Sequence, residues 1–361
     1  MKILLLSDVN SIHTKRWVKA LSEKDLEIIL FSLSPNNSDF YNNLHKVKIL
    51  EGKYEAKNSV LSKLRYLNIV PQLKKLIRQL QPDIIHAHYA SSYGLLGALT
   101  KTSIPYIISV WGSDIYDFPN IVPFGKNIIR YNLKKADYIL STSHVMVNEI
   151  RKYTDKPIRV TPFGVDTELF KPLCKVNTDE FIIGNVKTLH PKYGIDVLIK
   201  ASAIVIKNNP NKKIRLEIYG EGPQKKELIQ LVKSLRIANK VNFRGFILNN
   251  KLPEVYNSFS VAVSLSNSES FGVVAVEAMA CGCPVVTSDA DGFTEVVENC
   301  TTGFIVPKGN PESAAKAIQR FIDAPLLGKA MGISGRKRVL DLYDWNMNVE
   351  TMLNIYNEIL N

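Results

Sequence analysis

Val261-Ala-Val-Ser-Leu-Ser-Asn-Ser-Glu269-Ser-Phe271-Gly272-Val-Val-Ala-Val-Glu277-Ala-Met-Ala-Cys281-Gly282-Cys283-Pro284-Val-Val286 decides the fold of this 361-residue chain. Val261–Val263 is a short apolar, β-branched run, the composition of a strand. A polar loop carrying Glu269 follows it. A helix then begins near Gly272 and closes at Gly282, just ahead of a second apolar run, Pro284–Val286. Glycine at the start of a helix lets a ligand approach the backbone, and the unpaired N–H groups there attract an anion. A diphosphate suits that place. Glu269 stands in the loop ahead of it, and Glu277 lies about one and a half turns into the helix. Two carboxylates can accept paired hydroxyl hydrogen bonds from a sugar and a ribose on either side of the phosphates. An acidic helix start stabilised by its dipole accounts for Glu269 alone. It does not account for Glu277, which stands between Val276 and Ala278 on a mostly apolar helix and needs a partner.

Outward from this stretch, short apolar runs alternate with helix-length segments from end to end. In the first half the strand candidates are Lys2–Ser7, Glu27–Leu33, Val47–Leu50, Asp83–His86, Tyr106–Val110, Tyr138–Leu140 and Ile158–Val160. In the second half they are Phe181–Val186, Ile214–Tyr219, Val241–Phe243, Val261–Val263, Pro284–Val286 and Gly303–Ile305. Continuous apolar runs of this kind imply parallel sheets covered on both faces, a doubly wound α/β architecture. The alternation breaks once, at the polar, Pro-containing stretch Phe170–Glu180, which reads as a linker. The expected domains are 1–170 and 178–343, with a closing helix over 344–361 packing back on the first. Ligands of open α/β sheets bind at the carboxyl ends of the strands, so a cleft between two such edges is expected.

Composition bounds the function. The chain is 45% hydrophobic and 22% charged, which excludes a disordered or fibrous protein. No run approaches the roughly 18 apolar residues of a membrane span. Met1–Leu6 stops at Ser7-Asp8, so it reads as a buried first strand rather than a signal peptide, and a cytoplasmic protein is expected. Four cysteines occur, Cys174, Cys281, Cys283 and Cys300; Cys281 and Cys283 could make half a zinc site, but no second Cys/His pair stands at ligand spacing, so they are expected to be small buried residues beside a helix end, and a reducing compartment fits. The net charge is +12, and residues 1–170 hold 23 Lys+Arg against 15 Asp+Glu, the remainder 23 against 19. The basic excess therefore lies mostly in the first half, where nucleic acid or an anionic membrane is the candidate partner.

The Glu, seven residues, Glu arrangement with Phe271-Gly272 and the run Glu277-Ala-Met-Ala-Cys-Gly282-Cys-Pro284-Val-Val resembles the signature of family 4 retaining glycosyltransferases. Gly184-Asn-Val-Lys187-Thr-Leu-His-Pro-Lys192-Tyr193-Gly194 is similar to that family's donor-phosphate segment, Tyr219-Gly220-Glu-Gly222-Pro223 to its glycine-rich strand end, and Phe243-Arg244-Gly245 to its base-side strand. Thr294–Val297, Thr302–Val306 and the loop Thr161–Asp166 extend the likeness over most of the chain. The resemblance implies the GT-B fold, two Rossmann-like domains facing each other across a cleft. It implies that Glu269 bonds the transferred sugar and Glu277 the ribose, and that amides around Phe271, Gly272 and Val273 meet the diphosphate, with Gly220 and Gly245 on the donor side. Lys187 and Lys192 take the cationic roles. Tyr193 stands directly before Gly194, where the family commonly has Lys. The leaving diphosphate gains charge as the glycosidic bond breaks, and without a metal, lysines and helix starts must stabilise it. No cofactor is expected, and Asp289-Ala-Asp291 reads as an incidental Asp-x-Asp string.

In the first half, three polar clusters follow three strands: Asp8 to His13, His86-Ala-His88, and Trp111-Gly-Ser-Asp114. The resemblance makes this the acceptor side, with Asp8, His13, His88 and Trp111 lining it and Asp114 orienting the acceptor hydroxyl. Trp111 replaces the His of the relatives' His-Gly-x-Asp. Val60–Leu80 carries Lys63, Arg65, Lys74, Lys75 and Arg78 among leucines, interrupted by Pro71; Lys126, Arg130, Lys134 and Lys135 recur on a second helical stretch. Such helices either lie on an anionic bilayer or are solvated faces over a core. Few aromatics interleave with these charges, so nucleic acid is not the expected partner. The expected activity is sugar transfer from a nucleotide-sugar donor to a saccharide or lipid-linked acceptor in cell-surface polysaccharide or glycolipid assembly, with possible contact to an anionic membrane. The alternatives are a soluble enzyme acting on a small metabolite and a nucleotide-sugar binder without turnover.

Overall fold

Every apolar run singled out above becomes a strand, and every strand pair is parallel. The computed structural model describes residues 1–52, 64–100, 102–173 and 179–361. One sheet has the order β3-β2-β1-β4-β5-β6-β7. Its strands are β1 Lys2–Leu6, β2 Glu27–Ser32, β3 Val47–Glu51, β4 Ile84–His88, β5 Tyr106–Val110, β6 Tyr138–Ser141 and β7 Ile158–Val160. The other has the order β10-β9-β8-β11-β12-β13, from β8 Glu180–Val186, β9 Lys213–Tyr219, β10 Val241–Gly245, β11 Val261–Ser264, β12 Val285–Ser288 and β13 Gly303–Val306. In each sheet the strand order reverses beside its first strand, between β1 and β4 and between β8 and β11. Those reversals are the places where doubly wound sheets bind ligands. Three strands run two residues past their expected ends: β10 to Gly245, β12 to Ser288, and β4 to His88, where the register with β5 continues to the pair His88–Ser109.

The chain forms two compact units, Met1–Thr161 with Val349–Asn361, and Pro162–Asn348. The division thus falls ahead of the polar linker stretch. Val165 pairs with Asp344, and the Arg336 guanidinium donates to the carbonyls of Thr167 and Phe170, so Pro162–Phe170 is tied to the second unit. Val60–Lys63 and Cys174 lie outside the described residues, whereas Cys281, Cys283 and Cys300 are unbridged thiols.

In the first unit, helices α1 Ile12–Ser22, α2 Val70–Leu80, α3 Ser92–Thr100 and α4 Gly125–Lys135 flank the sheet. Leu73 and Ile77 of α2, Leu96 of α3 and Ile129 and Leu133 of α4 bury against Leu4, Phe31, Ile85 and Ile108 on one sheet face. Each such side chain contributes roughly 1.5–3 kcal/mol of burial. Pro71 does not interrupt α2 but sits in its first turn, where its missing N–H has no helical partner to lose. In the second unit, α5 Ile195–Asn208, α6 Val273–Ala280 and α7 Pro325–Leu342 cover the sheet, with Leu198, Val205, Leu216, Val263 and Met331 in its core. A closing helix, Trp345–Leu360, ends the chain. Among the described residues no helix is long and apolar enough to cross a membrane.

Candidate active site

In the second unit the site grows from the reversal between β8 and β11. Lys187 follows β8 and Glu269 lies in the loop after β11, 82 positions apart in sequence; the Lys187 ammonium donates to Glu269 Oε2 at 2.7 Å. Both side chains are largely buried, 14% and 12% exposed, so the two charges shield one another where solvent does little. The Tyr193 ring lies under the same ammonium, its centroid 4.5 Å from Nζ. Tyr193 ends the short 3-10 turn Pro191–Tyr193, which His190 Nδ1 caps by accepting the Lys192 amide at 3.2 Å.

Two helix starts converge on this edge. Gly194 caps α5 with φ at 60°, and a Cβ there would stand 2.1 Å from the Leu265 carbonyl oxygen. Only glycine allows that approach of α5 to the β11 loop. The loop is stitched from the other side: the Asn267 amide donates to Lys192 O at 2.8 Å and its Nδ2 to Pro191 O at 3.2 Å. Lys192 is fixed there through its backbone. Gly272 caps α6 with φ at 97°, and the Phe293 ring backs it so closely that a Cβ on this glycine would stand 2.8 Å from the ring edge. The first amides of α6, beginning with Val273, have no helical acceptor and are open to an anion. Phe271 is buried edge-on against Phe163 and Tyr343, so its backbone is what it can offer a ligand. Glu277 has the partner its position demanded: Tyr256 donates its hydroxyl to Oε2 at 2.9 Å. Gly220 donates its amide to Gly245 O at 2.8 Å, locking the ends of β9 and β10 together. One ammonium, two helix starts and two carboxylates thus lie on α5, α6 and the loops that follow β8 and β11.

Among the described residues no three His, Cys, Asp or Glu side chains are grouped as a metal site. Asp289 accepts the Lys308 amide at 2.9 Å, and Asp291 opens the helix Asp291–Val296.

In the first unit, the reversal between β1 and β4 gathers the polar clusters. His86 and His88, two apart on one strand, share a face. His88 Nδ1 bonds Ser7 Oγ at 2.9 Å, which bonds Thr14 Oγ1 at 2.7 Å. His86 Nδ1 bonds the Tyr356 hydroxyl at 2.7 Å, and its Nε2 bonds Ser109 Oγ at 2.8 Å. The His88 ring stacks, tilted, 4.2 Å from that of Trp111, and His13 meets Trp111 edge-on at 5.8 Å. Burial lowers the His86 pKa to about 3 and His13 to about 4, and pushes His88 well below its usual value, so all three are neutral near neutrality. Asp8 is half-buried and accepts the Asn10 amide at 3.1 Å.

Asp114 has a different part from the acceptor-orienting one expected of it. Its oxygens accept the amides of Ala90 at 2.6 Å, Gly112 at 2.8 Å and Trp111 at 3.1 Å, and the side chain is fully enclosed. Burial raises its pKa to about 6 against the lowering pull of those amides. Asp114 therefore braces the strand-end loops of β4 and β5 and positions Trp111.

The family profile described as glycosyl transferases group 1 matches residues 167–338, and that described as glycosyl transferase 4-like matches residues 2–143. A D-inositol 3-phosphate glycosyltransferase of Streptomyces griseus is 32% identical over 320 residues, spanning 77% of this chain and 67% of its own. The chain belongs to the group 1 glycosyltransferases. Solved structures of GT-B glycosyltransferases share the fold. Sucrose-phosphate synthase from Thermosynechococcus elongatus has a TM-score of 0.86 at 23% identity, covering 99% of each chain. Anabaena HepE in complex with UDP and glucose has a TM-score of 0.81 at 19% identity, covering 99% of this chain and all of its own.

In this group 1 glycosyltransferase the structure brings Lys187, Glu269, Gly194 and the start of α6 to one edge of the second sheet. It brings Asp114, Trp111, His88 and His13 together in the first unit. The sequence reading missed Tyr193 as a partner of Lys187, Tyr256 as the partner of Glu277, and Ser7, Ser109 and Tyr356 as partners of the two β4 histidines. Only the lone Glu277 on its apolar helix signalled that a partner was owed.

Proposed function

We propose that this glycosyltransferase moves a hexosyl group from a nucleotide sugar to an acceptor hydroxyl with retention of anomeric configuration and without a metal ion. The bond from the anomeric carbon to the diphosphate oxygen breaks, and a bond to the acceptor oxygen forms. The acceptor proton passes to the departing phosphate, which needs no protein base. The observation that carries this reading is the Lys187 ammonium, 2.7 Å from Glu269 beside two open helix starts. Such preorganised positive charge favours the diphosphate as it gains charge on leaving. Glu269 is then set to bond the transferred sugar, and Glu277 the ribose. The naming of UDP and glucose in the HepE structure, and of D-inositol 3-phosphate for the Streptomyces relative, supports a nucleotide-sugar donor and a hydroxyl acceptor.

The proposed setting is the cytoplasmic side of the membrane, in cell-surface polysaccharide or glycolipid assembly on a saccharide or lipid-linked acceptor. A second reading, transfer to a small soluble metabolite, draws on the names of that relative and of sucrose-phosphate synthase. The test is binding and hydrolysis of UDP-, GDP- and ADP-sugars in EDTA, comparing wild type with Glu277→Ala, followed by NMR of the product anomer. One donor bound and turned over in EDTA, and lost in the variant, supports the reading. Failure of every nucleotide sugar to bind refutes it, an inverted product refutes retention, and turnover only with added divalent ion refutes metal independence.

A further inference from the structure

The three neighbouring helices on one face of the first sheet carry no acidic residue. Neither α2, α3 nor α4 contains an Asp or Glu, and none occurs from Phe118 to Ala136. The same segments present Lys74, Lys75, Arg78, Lys126, Arg130, Lys134 and Lys135, all but half-buried Lys74 exposed. Lys126, Arg130 and Lys134 stand four residues apart, one stripe along α4. Among the described residues no carboxylate pairs with any of the four α4 cations; Arg130 lies over the Tyr153 ring and Lys135 over Tyr131.

At the start of that stripe the chain turns two large apolar side chains into solvent. Ile121 is 76% exposed and Phe124 is 79% exposed. Phe124 holds a left-handed backbone, φ 58°, which bulky residues seldom adopt. The turn is tight: the Val122 amide bonds Phe118 O, and the Gly125 amide bonds Val122 O at 2.9 Å. A Cβ on Gly125 would meet Phe118 O at 2.8 Å, so the residue after Phe124 is packed directly on the preceding turn. An apolar tip on an acid-free basic face is the pairing that membrane binding requires, since neither signal suffices alone.

We infer that this face docks on an anionic lipid bilayer, with Ile121 and Phe124 entering the interface and the α2 and α4 cations on the headgroups. It extends the lipid-linked acceptor reading but rests on observations independent of sugar transfer. The experiment is sedimentation of the full chain with phosphatidylglycerol–phosphatidylcholine vesicles and with pure phosphatidylcholine vesicles, no donor present. Wild type should pellet only with the anionic vesicles, and less at high salt. The Ile121→Ser/Phe124→Ser variant should lose about tenfold or more in partitioning, and Lys126→Gln/Arg130→Gln/Lys134→Gln about a hundredfold, at about fivefold per charge. Unchanged melting temperatures confirm that the exposed substitutions leave the fold intact. In Phe124→Trp, blue-shifted Trp emission on adding anionic vesicles reports insertion. The inference is overturned if wild type stays in the supernatant, if both multiple variants pellet as wild type does, or if the Phe124→Trp emission does not move. It is equally overturned if a DNA duplex binds tightly and the Ile121/Phe124 variant loses neither ligand, which would assign the face to nucleic acid.

Discussion

Acidification from about pH 7 to about pH 5 should destabilise the first unit selectively, through the two buried imidazoles of β4. His86 and His88 sit below their ordinary pKa of 6.5, His86 at about 3, because burial penalises the charged ring. A folded-state pKa below the unfolded one means the unfolded chain takes up the proton first. The histidines' contribution is therefore complete above about pH 6.5 and is lost as the pH falls toward the folded value. At about pH 5 His86 is about 1.5 pH units into that window, which costs about 2 kcal/mol, and His88 adds a loss of the same sign. Asp114 acts in the opposite sense: its raised pKa of about 6 makes the folded state bind a proton before the unfolded one does. That returns about 1.4 kcal/mol at about pH 5, less than the two histidines lose. Partly buried His13, lowered to about 4, adds a loss of the same sign. Against a typical domain stability of about 5–15 kcal/mol the loss at His86 alone is measurable. The assay is urea unfolding at both pH values, read by tryptophan fluorescence in a Trp345→Phe background, where Trp17 and Trp111 of the first unit remain. The reasoning fails if stability is equal at the two pH values, or if His86→Gln/His88→Gln keeps the full pH dependence.

Three further outcomes test the second unit. Tyr193→Leu should weaken donor binding about fivefold, the worth of one cation–π contact to a largely buried ammonium, while Tyr193→Phe keeps wild-type affinity in calorimetric titration. Tyr256→Phe should cost about 1 kcal/mol by leaving Glu277 one hydrogen bond short, read as a lowered melting temperature; no change would show that another group replaces the hydroxyl. Gly194→Ala should cost more than about 3 kcal/mol, since a left-handed backbone and a clash with the Leu265 carbonyl oxygen act together. Soluble expression with an unchanged melting temperature would contradict that geometry.

The sheets were legible because parallel strands buried on both faces are written as unbroken apolar runs, such as Ile214–Tyr219 and Ile158–Val160, with helix-length spacing between them. The candidate donor edge could be drawn from the sequence because Gly272, Glu269 and Glu277 lie within nine residues, so one local reading covers them. Contacts between distant segments were not. Tyr193 reaches Lys187 across a 3-10 turn, whose direction no apolar period encodes. Tyr256 meets Glu277 from another helix, and nothing near Tyr256 announces it. Asp114 was expected to face an acceptor because it stands last in a motif resembling the relatives' His-Gly-x-Asp. Its enclosure by the amides of Ala90, Trp111 and Gly112 depends on how two loops fold over one another. Pro71 misled for the opposite reason, since a proline marks a break or a beginning alike until the first turn is located.

The hydrogen bond from Tyr356 to His86 also carries a consequence for the order of synthesis. Val349–Asn361 leaves the ribosome after the whole of Pro162–Asn348, yet it belongs to the unit that was translated first. The nascent seven-stranded sheet must therefore wait, with His86 facing an uncovered site, while the second unit is made and folds. A chain stalled before Val349 would expose that surface to chaperones and proteases.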